Sequence, residues 1–598
     1  METKNLPRWD MSVVYPSLDS PEFERDFRSF VRAIDELEGL FENARIDRTD
    51  QPLDVNTAVA IFEAVIPQYN ALMEFGHTIE AYIYSFIATD SRDEYAQMRM
   101  SEMEREEVRL AKLSTRLTAW AGSQDVEALI ERSEMARQHA YWLRRAKVYA
   151  EHMMSPAEES LATEMSLTGS NAWSKFYGNL SSQIMVELEL KGERQTLPMS
   201  MVRNLAVDPD RSVRAAAYHA ELQAWERHAM PIASALNSIK GETNLLTRRR
   251  KWRDPLEASL FRNAIDEAVL DAMMTAAHES FPHFRRYLHA KARALGIERC
   301  AWYDLFAPVG KDAKRWEYDE AKQFIIEQFA TYSQKMSDFA RRAFEENWID
   351  APPMPGKRDG AFCMRLRKDE SRILTNYKPS FNGLSTLAHE LGHAYHNLCL
   401  ANRTYLQRFT PMTLAETASI FCETIVRNAA LQNATPEEQI AILEASLQGN
   451  CQVVVDITSR FLFEKAVFER RNERELSVSE LCALMREAQE QTYGDGLDPQ
   501  SLHPYMWCAK PHYYGSAFYN YPYMFGLLFG LGLYALYLDD PDGFRARYDD
   551  LLSSTGMADA PTLAEQFGFD IRKPDFWRNS LEVIRQDVER FEALVQGA

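Results

Sequence analysis

The sequence predicts a mainly α fold with more than one subdomain and one minor sheet. Three observations carry that prediction. The chain has 598 residues, well beyond the length at which a single hydrophobic core stops growing. Apolar residues recur at helical spacing over most of it, and alternating patterns are confined to a few short stretches. Hydrophobic residues make up 46% and charged residues 26%, close to soluble-protein averages, which excludes a large disordered or fibrous portion.

Helical pattern runs from about Ser20 to Trp120, with Asp93 to Trp120 as one long helix that neither Gly nor Pro interrupts. Ser123 to Glu151 continues it, and Ser155-Pro156 forms a cap and first-turn pair for Ala157 to Leu167. The first strand signal is Gln183 to Leu190, followed by Lys191-Gly192-Glu193 as a turn and a partner near Thr196-Leu197. Helices return at Ser212 to Leu246, Glu267 to Leu295 and Tyr318 to Asn347. The proline-rich stretch from Ala351 to Gly356 ends them. Ala361 to Leu366 and Arg372 to Tyr377 then read as short strands, which sets a small sheet just before a helix from Ser385, a plausible cap, to Leu400. Beyond it helices dominate again, apart from a loop-like region between Tyr493 and Gly515.

A net charge of -20 argues against nucleic acid as the main partner, because phosphate binding needs a basic face. The run Arg248 to Arg253 reads as a solvated helix end or an ion-pair site. Seven isolated cysteines without a CxxC pair read as free thiols in a reducing compartment. The charged stretch Met1 to Asp10 shows no secretory signal, so a cytoplasmic protein is expected. Tyr521 to Leu538 is uncharged over 18 residues, the lower limit for a membrane span. Pro522, three glycines and the abrupt Asp539-Asp540 instead predict a helix buried on all sides, with no membrane partner.

His389-Glu390-Leu391-Gly392-His393 is an HExxH pattern. On a helix the spacing of four puts both imidazoles on one face, where they can share one metal ion. Glu390, beside the first of them, is placed to take a proton from an attacking water. Flanking Leu384, Leu387, Ala388, Leu391, Ala394 and Leu398 make the surroundings apolar. A catalytic zinc needs a third protein ligand and an open position, and Glu416 is the candidate. Thr413-x-x-Glu416 is equally a capping box, and the residues alone leave the two open. Glu423, two turns beyond Glu416, could accept a hydrogen bond from a ligand imidazole or be a surface residue. His396 shares the histidine face and reads as support behind the ligands or as core. The segment His512 to Tyr523 is dense in hydroxyl-bearing aromatics that could stabilise an oxyanion, although composition alone favours an aromatic core leading into the apolar helix.

Three motifs in order, Thr386 to His396, Leu414 to Glu423 and His512 to Tyr523, together with Gly356 to Phe362 and Ile373 to Tyr377 upstream, resemble the thimet-oligopeptidase-like zinc metallopeptidases and among them the oligoendopeptidase F branch. The resemblance implies that one zinc ion is held by His389, His393 and Glu416. It also implies that His512 and the tyrosines that follow, Tyr523 first, then Tyr519, with Tyr521 in substrate binding, contact substrate and stabilise the oxyanion. A two-part helical ellipsoid split by a deep channel is implied too, with residues 1–200 as an N-terminal helical domain forming part of the channel wall and 201–598 as the catalytic domain. The expected activity is internal cleavage of short unstructured peptides, with Gly360 and Ala361 pairing with substrate backbone. A carboxypeptidase or dipeptidyl carboxypeptidase is the alternative among enzymes, and a non-catalytic zinc-containing peptide binder the alternative outside them.

Overall fold

Helix starts carry their caps in sequence. Asp54, Asp93, Asp210 and Asp266 each accept a first-turn amide proton, opening helices Val55–Thr89, Glu94–Gly122, Arg211–Arg249 and Glu267–Ala294. Ser155 and Glu158 cap each other's turn ahead of Pro156. The computed structural model describes residues 6–310 and 314–597, so Met1 to Asn5 of the charged N-terminal stretch lie outside it. Within those residues helices dominate.

Two helical expectations change. Tyr318 to Asn347 is two helices, Tyr318–Tyr332 and Gln334–Glu345, because Ser333 is extended (φ −154°) and caps the second by accepting from Met336 N. The HExxH helix runs Phe381–Cys399 and its cap is Ser380, not Ser385. Ser385 lies inside the helix, where its hydroxyl has another use.

Strands β1 (Met185–Leu190) and β2 (Glu193–Pro198) pair antiparallel, with Thr196 and Leu197 opposite Glu187 and Val186. Lys191 and Gly192 both take positive φ, the twist a two-residue hairpin turn requires. The second sheet has the order β3 (Ile349–Asp350), β5 (Glu370–Leu374), β4 (Phe362–Arg367). Its last strand stops at Leu374, short of the expected Tyr377, whose hydroxyl instead donates to Trp316 O. β4 is therefore an edge strand.

Three apolar cores form. The first gathers side chains from Met11 to Ala146 with Leu366 of β4. The second joins the β1–β2 hairpin to Arg211–Arg249 and to Phe463, Leu484 and Trp507. The largest spans Leu260 to Phe591 and encloses the apolar helix Tyr521–Asp539. That helix is long and apolar enough to cross a membrane, but Met524 to Leu533 are buried against neighbouring helices, with Phe525 on Trp577 at 5.1 Å. The basic run at the end of Arg211–Arg249 is an ion-pair site: Arg249 lies 3.6 Å from Glu158 and Arg250 2.8 Å from Glu159.

Candidate active site

His389 and His393 project from one face of Phe381–Cys399, their rings 4.9 Å apart. Facing them, the chain breaks between the short turn Met412–Ala415 and the helix Thr417–Gln432, and Glu416 sits at the break. Its Oε2 lies 3.2 Å from His389 Nε2 and 3.4 Å from His393 Nε2. The capping-box alternative for Glu416 does not form: the Thr413 hydroxyl donates to Asn263 O, and Glu416 makes no cap bond. Instead Ser419 donates to Glu416 Oε2 at 2.6 Å.

One ligand atom from each of His389, His393 and Glu416 falls within 4.8 Å of the others. Two imidazole nitrogens and a carboxylate oxygen on one side, with a cavity on the other, fit a zinc ion that keeps one position open. Glu423, on the next two turns of Thr417–Gln432, meets His389 Nδ1 at 3.0 Å, and its other oxygen accepts from Ser385 at 2.8 Å. That contact calls for a proton on Nδ1, which would leave Nε2 as the nitrogen that ligates a metal ion. Burial opposes ionisation of Glu416, but the His389 and His393 contacts outweigh it and hold the carboxyl well below the usual range, so it is anionic at neutral pH.

Glu390 is buried, and its Oε2 has no hydrogen-bond partner. Burial pushes its carboxyl up from the ordinary value, with the two imidazoles pulling the other way. A base with a raised pKa is better matched to proton transfer near neutrality. The cavity in front of it, about 360 Å³, is lined by Ala361, Phe362, His389, Glu390, His393 and Glu416 among others. Ala361 thus borders the cluster at the start of edge strand β4. Gly360, at φ +82°, turns the chain into that strand while its carbonyl accepts from Asn376.

His396 lines the same cavity but is anchored away from the carboxylates, its Nε2 lying 2.9 Å from Thr555 Oγ1 and 3.2 Å from Leu552 O. Burial pushes this imidazole down to about 4, so it is neutral. The aromatic segment stands beside the cavity rather than in its lining. Tyr523 is 37% exposed while Tyr521 is 1% exposed, which separates their roles. Tyr523 shares a helix face with Gly526, whose absent side chain lets Glu416 pack within 2.8 Å of where a Cβ would stand. Its hydroxyl is 3.0 Å from that of Tyr519, and the Tyr519 ring stacks on His512 at 4.7 Å. Burial and the bond to Tyr519 push the Tyr523 phenol up, keeping it a proton donor.

Substrate contact through Tyr521 is corrected: its ring is in the core and its hydroxyl contacts Asn263 at 3.1 Å and Ser259 at 3.2 Å. As the first residue of Tyr521–Asp539 it points opposite to Tyr523. Sequence reasoning took Ser385 only as a helix cap and Gly526 only as a mark against a membrane span, and it missed Ser419. The signal for the serines was their spacing of four before His389 and three after Glu416.

The comparisons with known proteins agree with one another. Residues 204–583 match the model described as Peptidase family M3, and residues 121–185 one described as Oligopeptidase F. The chain is 26% identical over 451 residues to an oligoendopeptidase F homolog of Lactococcus lactis, covering 74% of this chain and 75% of that one. It is 25% identical over 451 residues to the oligopeptidase PepF of Bacillus subtilis, covering 74% and 67%. Among solved structures, oligoendopeptidase-F from Enterococcus faecium shares the fold with a TM-score of 0.69 at 19% identity, over 96% of this chain and 99% of that one. A solved structure from Chlamydophila abortus shares the fold with a TM-score of 0.82 at 18% identity over 98% of each chain.

Proposed function

The chain belongs to peptidase family M3, in its oligopeptidase F branch, and from that premise we propose that it is a zinc endopeptidase that hydrolyses internal bonds of short unstructured peptides. The observation that carries the reading is the convergence of His389 Nε2, His393 Nε2 and a Glu416 oxygen beside an unpartnered Glu390 carboxylate. Bound zinc supplies Lewis acidity there, polarising the scissile carbonyl and acidifying the attacking water.

The remaining steps belong to the chain. Glu390 takes the proton of the attacking water and later passes it to the leaving amine. Tyr523, held by Tyr519, and His512 donate hydrogen bonds to the oxyanion. Edge strand β4 offers unpaired backbone groups next to Ala361, so an extended peptide can add as a further strand, which gives affinity without demanding particular side chains. The N-terminal domain, residues 1–200, walls the path to the site. Seven unpaired cysteines support a cytoplasmic location.

The test is Glu390→Gln. Metal content measured by elemental analysis stays at one ion per chain while kcat falls by about 10²–10⁴. Retained turnover in that variant contradicts the mechanism.

A further inference from the structure

The outer edge of β4 is not open along its whole length. Ile373 of β5, and Thr375 just past it, give their amide protons to Trp348 O and Asp350 O on the β3 side, so the backbones of Arg372 and Leu374 face β4. Their register partners on β4 are Met364 and Phe362. The backbone groups of Cys363 and Arg365, and of Ala361 in the same alternation, therefore point away from the sheet.

At Arg365 the outward carbonyl is already taken. His77 Nε2 lies 2.9 Å from Arg365 O, and because a carbonyl only accepts, that nitrogen is the donor. Burial and the neighbouring Arg365 charge push this imidazole down to about 4, so it is neutral. Three residues before it on Val55–Thr89, Glu74 holds the Arg365 guanidinium at 2.7 Å. Two turns beyond it, the Tyr84 ring lies 5.7 Å from that of Phe362. The rise from His77 to Tyr84 along a helix is about 10 Å, which matches the roughly 10 Å from Arg365 back to Phe362 along a strand. The helix thus runs alongside β4 in the opposite direction, bonding its backbone at Arg365 and meeting only a side chain at Phe362. At the entry to the strand, Asn376 Nδ2 donates to the carbonyls of Arg358 and Gly360. Between these two ties, the outward groups of Ala361 and Cys363 have no hydrogen-bond partner among the described residues, and both residues line the cavity in front of His389 and Glu390.

We propose that His77 is a stop on the substrate-binding edge: a peptide that adds to β4 pairs with Ala361 and Cys363 and ends at Arg365, so the helix Val55–Thr89 sets how many substrate residues are held on that side of the cut. This rests on the strand addition proposed above. Each outward residue of β4 serves every second residue of an added strand, so two of them engage about four residues of peptide. A residue beyond these meets the His77 ring where a free carbonyl would otherwise accept its amide proton.

The test uses the zinc-loaded full chain as wild type, His77→Ala and His77→Gln. Each cleaves two ladders of internally quenched peptides blocked at both ends, one lengthened residue by residue on the N-terminal side of the cut and the other on the C-terminal side, with the cut located by mass. In the wild type kcat/KM rises by about 2–10-fold for each backbone bond gained and levels off within about four residues on one side. His77→Ala frees the carbonyl, so the same ladder climbs a further step of about 2–10-fold while the shortest peptide is cleaved as by the wild type. His77→Gln, whose amide still donates to Arg365 O, levels off where the wild type does. A wild-type enzyme whose rates keep rising on both sides overturns the proposal without any variant, and so does a His77→Ala enzyme that levels off at the wild-type position. Strand addition itself is checked apart from the stop by N-methylating the peptide amides on the levelling side. Loss of the gains supports it; gains that survive N-methylation overturn strand addition and the stop together.

Discussion

Ser385 and Ser419 each donate a hydroxyl proton to a carboxylate of the site, Glu423 and Glu416 respectively, and so fix the groups that orient the histidines. Removing the outer carboxylate frees the His389 ring, and Glu423→Ala is expected to weaken metal affinity about 10–100-fold, measured by competition with a chromophoric chelator. Unchanged affinity means that helix packing alone holds His389. Removing the phenol that faces the site has a different signature: Tyr523→Phe is expected to lower kcat by about 10²–10³ with metal content unchanged in steady-state and elemental assays. At this scale the HExxH residues were fully legible, because one helix carries all three. Glu416 was not separable from a capping box by spacing, since what decides is that Thr413 turns to Asn263, 150 positions away. The resemblance ranked Tyr523 ahead of Tyr521, but the residues alone offered no reason for it. The reason is that Tyr521 is buried and bonded to Asn263 while Tyr523 is partly exposed on the helix face it shares with Gly526.

Helix contact in the catalytic region depends on glycines. A Cβ at Gly392 would lie 2.6 Å from Ala418 O, one at Gly526 2.8 Å from Glu416 Cβ, and one at Gly530 2.7 Å from Ile420 Cβ. The helices Phe381–Cys399, Thr417–Gln432 and Tyr521–Asp539 therefore meet at distances that no larger residue permits. Gly526→Ala is expected to displace Glu416, lowering both metal affinity and Tm. Gly449→Ala, exposed in the helix Pro436–Cys451 with nothing within 4 Å, is expected to stabilise by about 0.4–1 kcal/mol through reduced unfolded-state entropy. Paired thermal melts and metal titrations check both, and equal effects of the two changes contradict the packing account. The glycines of the uncharged stretch were legible as a mark against a membrane span. Their actual use was not, because Gly526 and Gly530 pack against Glu416 and Ile420, far earlier in the chain, and Gly532 against Phe576, well beyond it.

The N-terminal core and the catalytic region are tied together through Glu74. It sits on Val55–Thr89 and pairs with Arg365 of β4 at 2.7 Å and with Arg408, while Leu366 enters the N-terminal core. Burial opposes its charge, but the two guanidinium groups outweigh that and bring its carboxyl down to about 2 from 4.5. A depressed carboxyl contributes stability that is fully present above 4.5 and is lost as pH falls toward 2. Glu74→Gln is therefore expected to melt below the wild type at neutral pH, with the deficit shrinking in a thermal series from about pH 6 to about pH 3. A constant deficit contradicts this pairing. A mainly helical molecule with a small sheet beside the motif helix was legible from periodicity and length. The ties between its cores were not, since Glu74 and Arg365 lie 291 residues apart and neither stands out locally. The central claim, metal-dependent cleavage of internal peptide bonds at the His389, His393 and Glu416 cluster, is tested most directly with an internally quenched peptide blocked at both ends, incubated with and without a chelator and analysed by mass. The account predicts fragments from an internal cut that vanish with chelator and return with zinc; an untouched blocked peptide, alongside trimming of an unblocked one from its C-terminus, would contradict it.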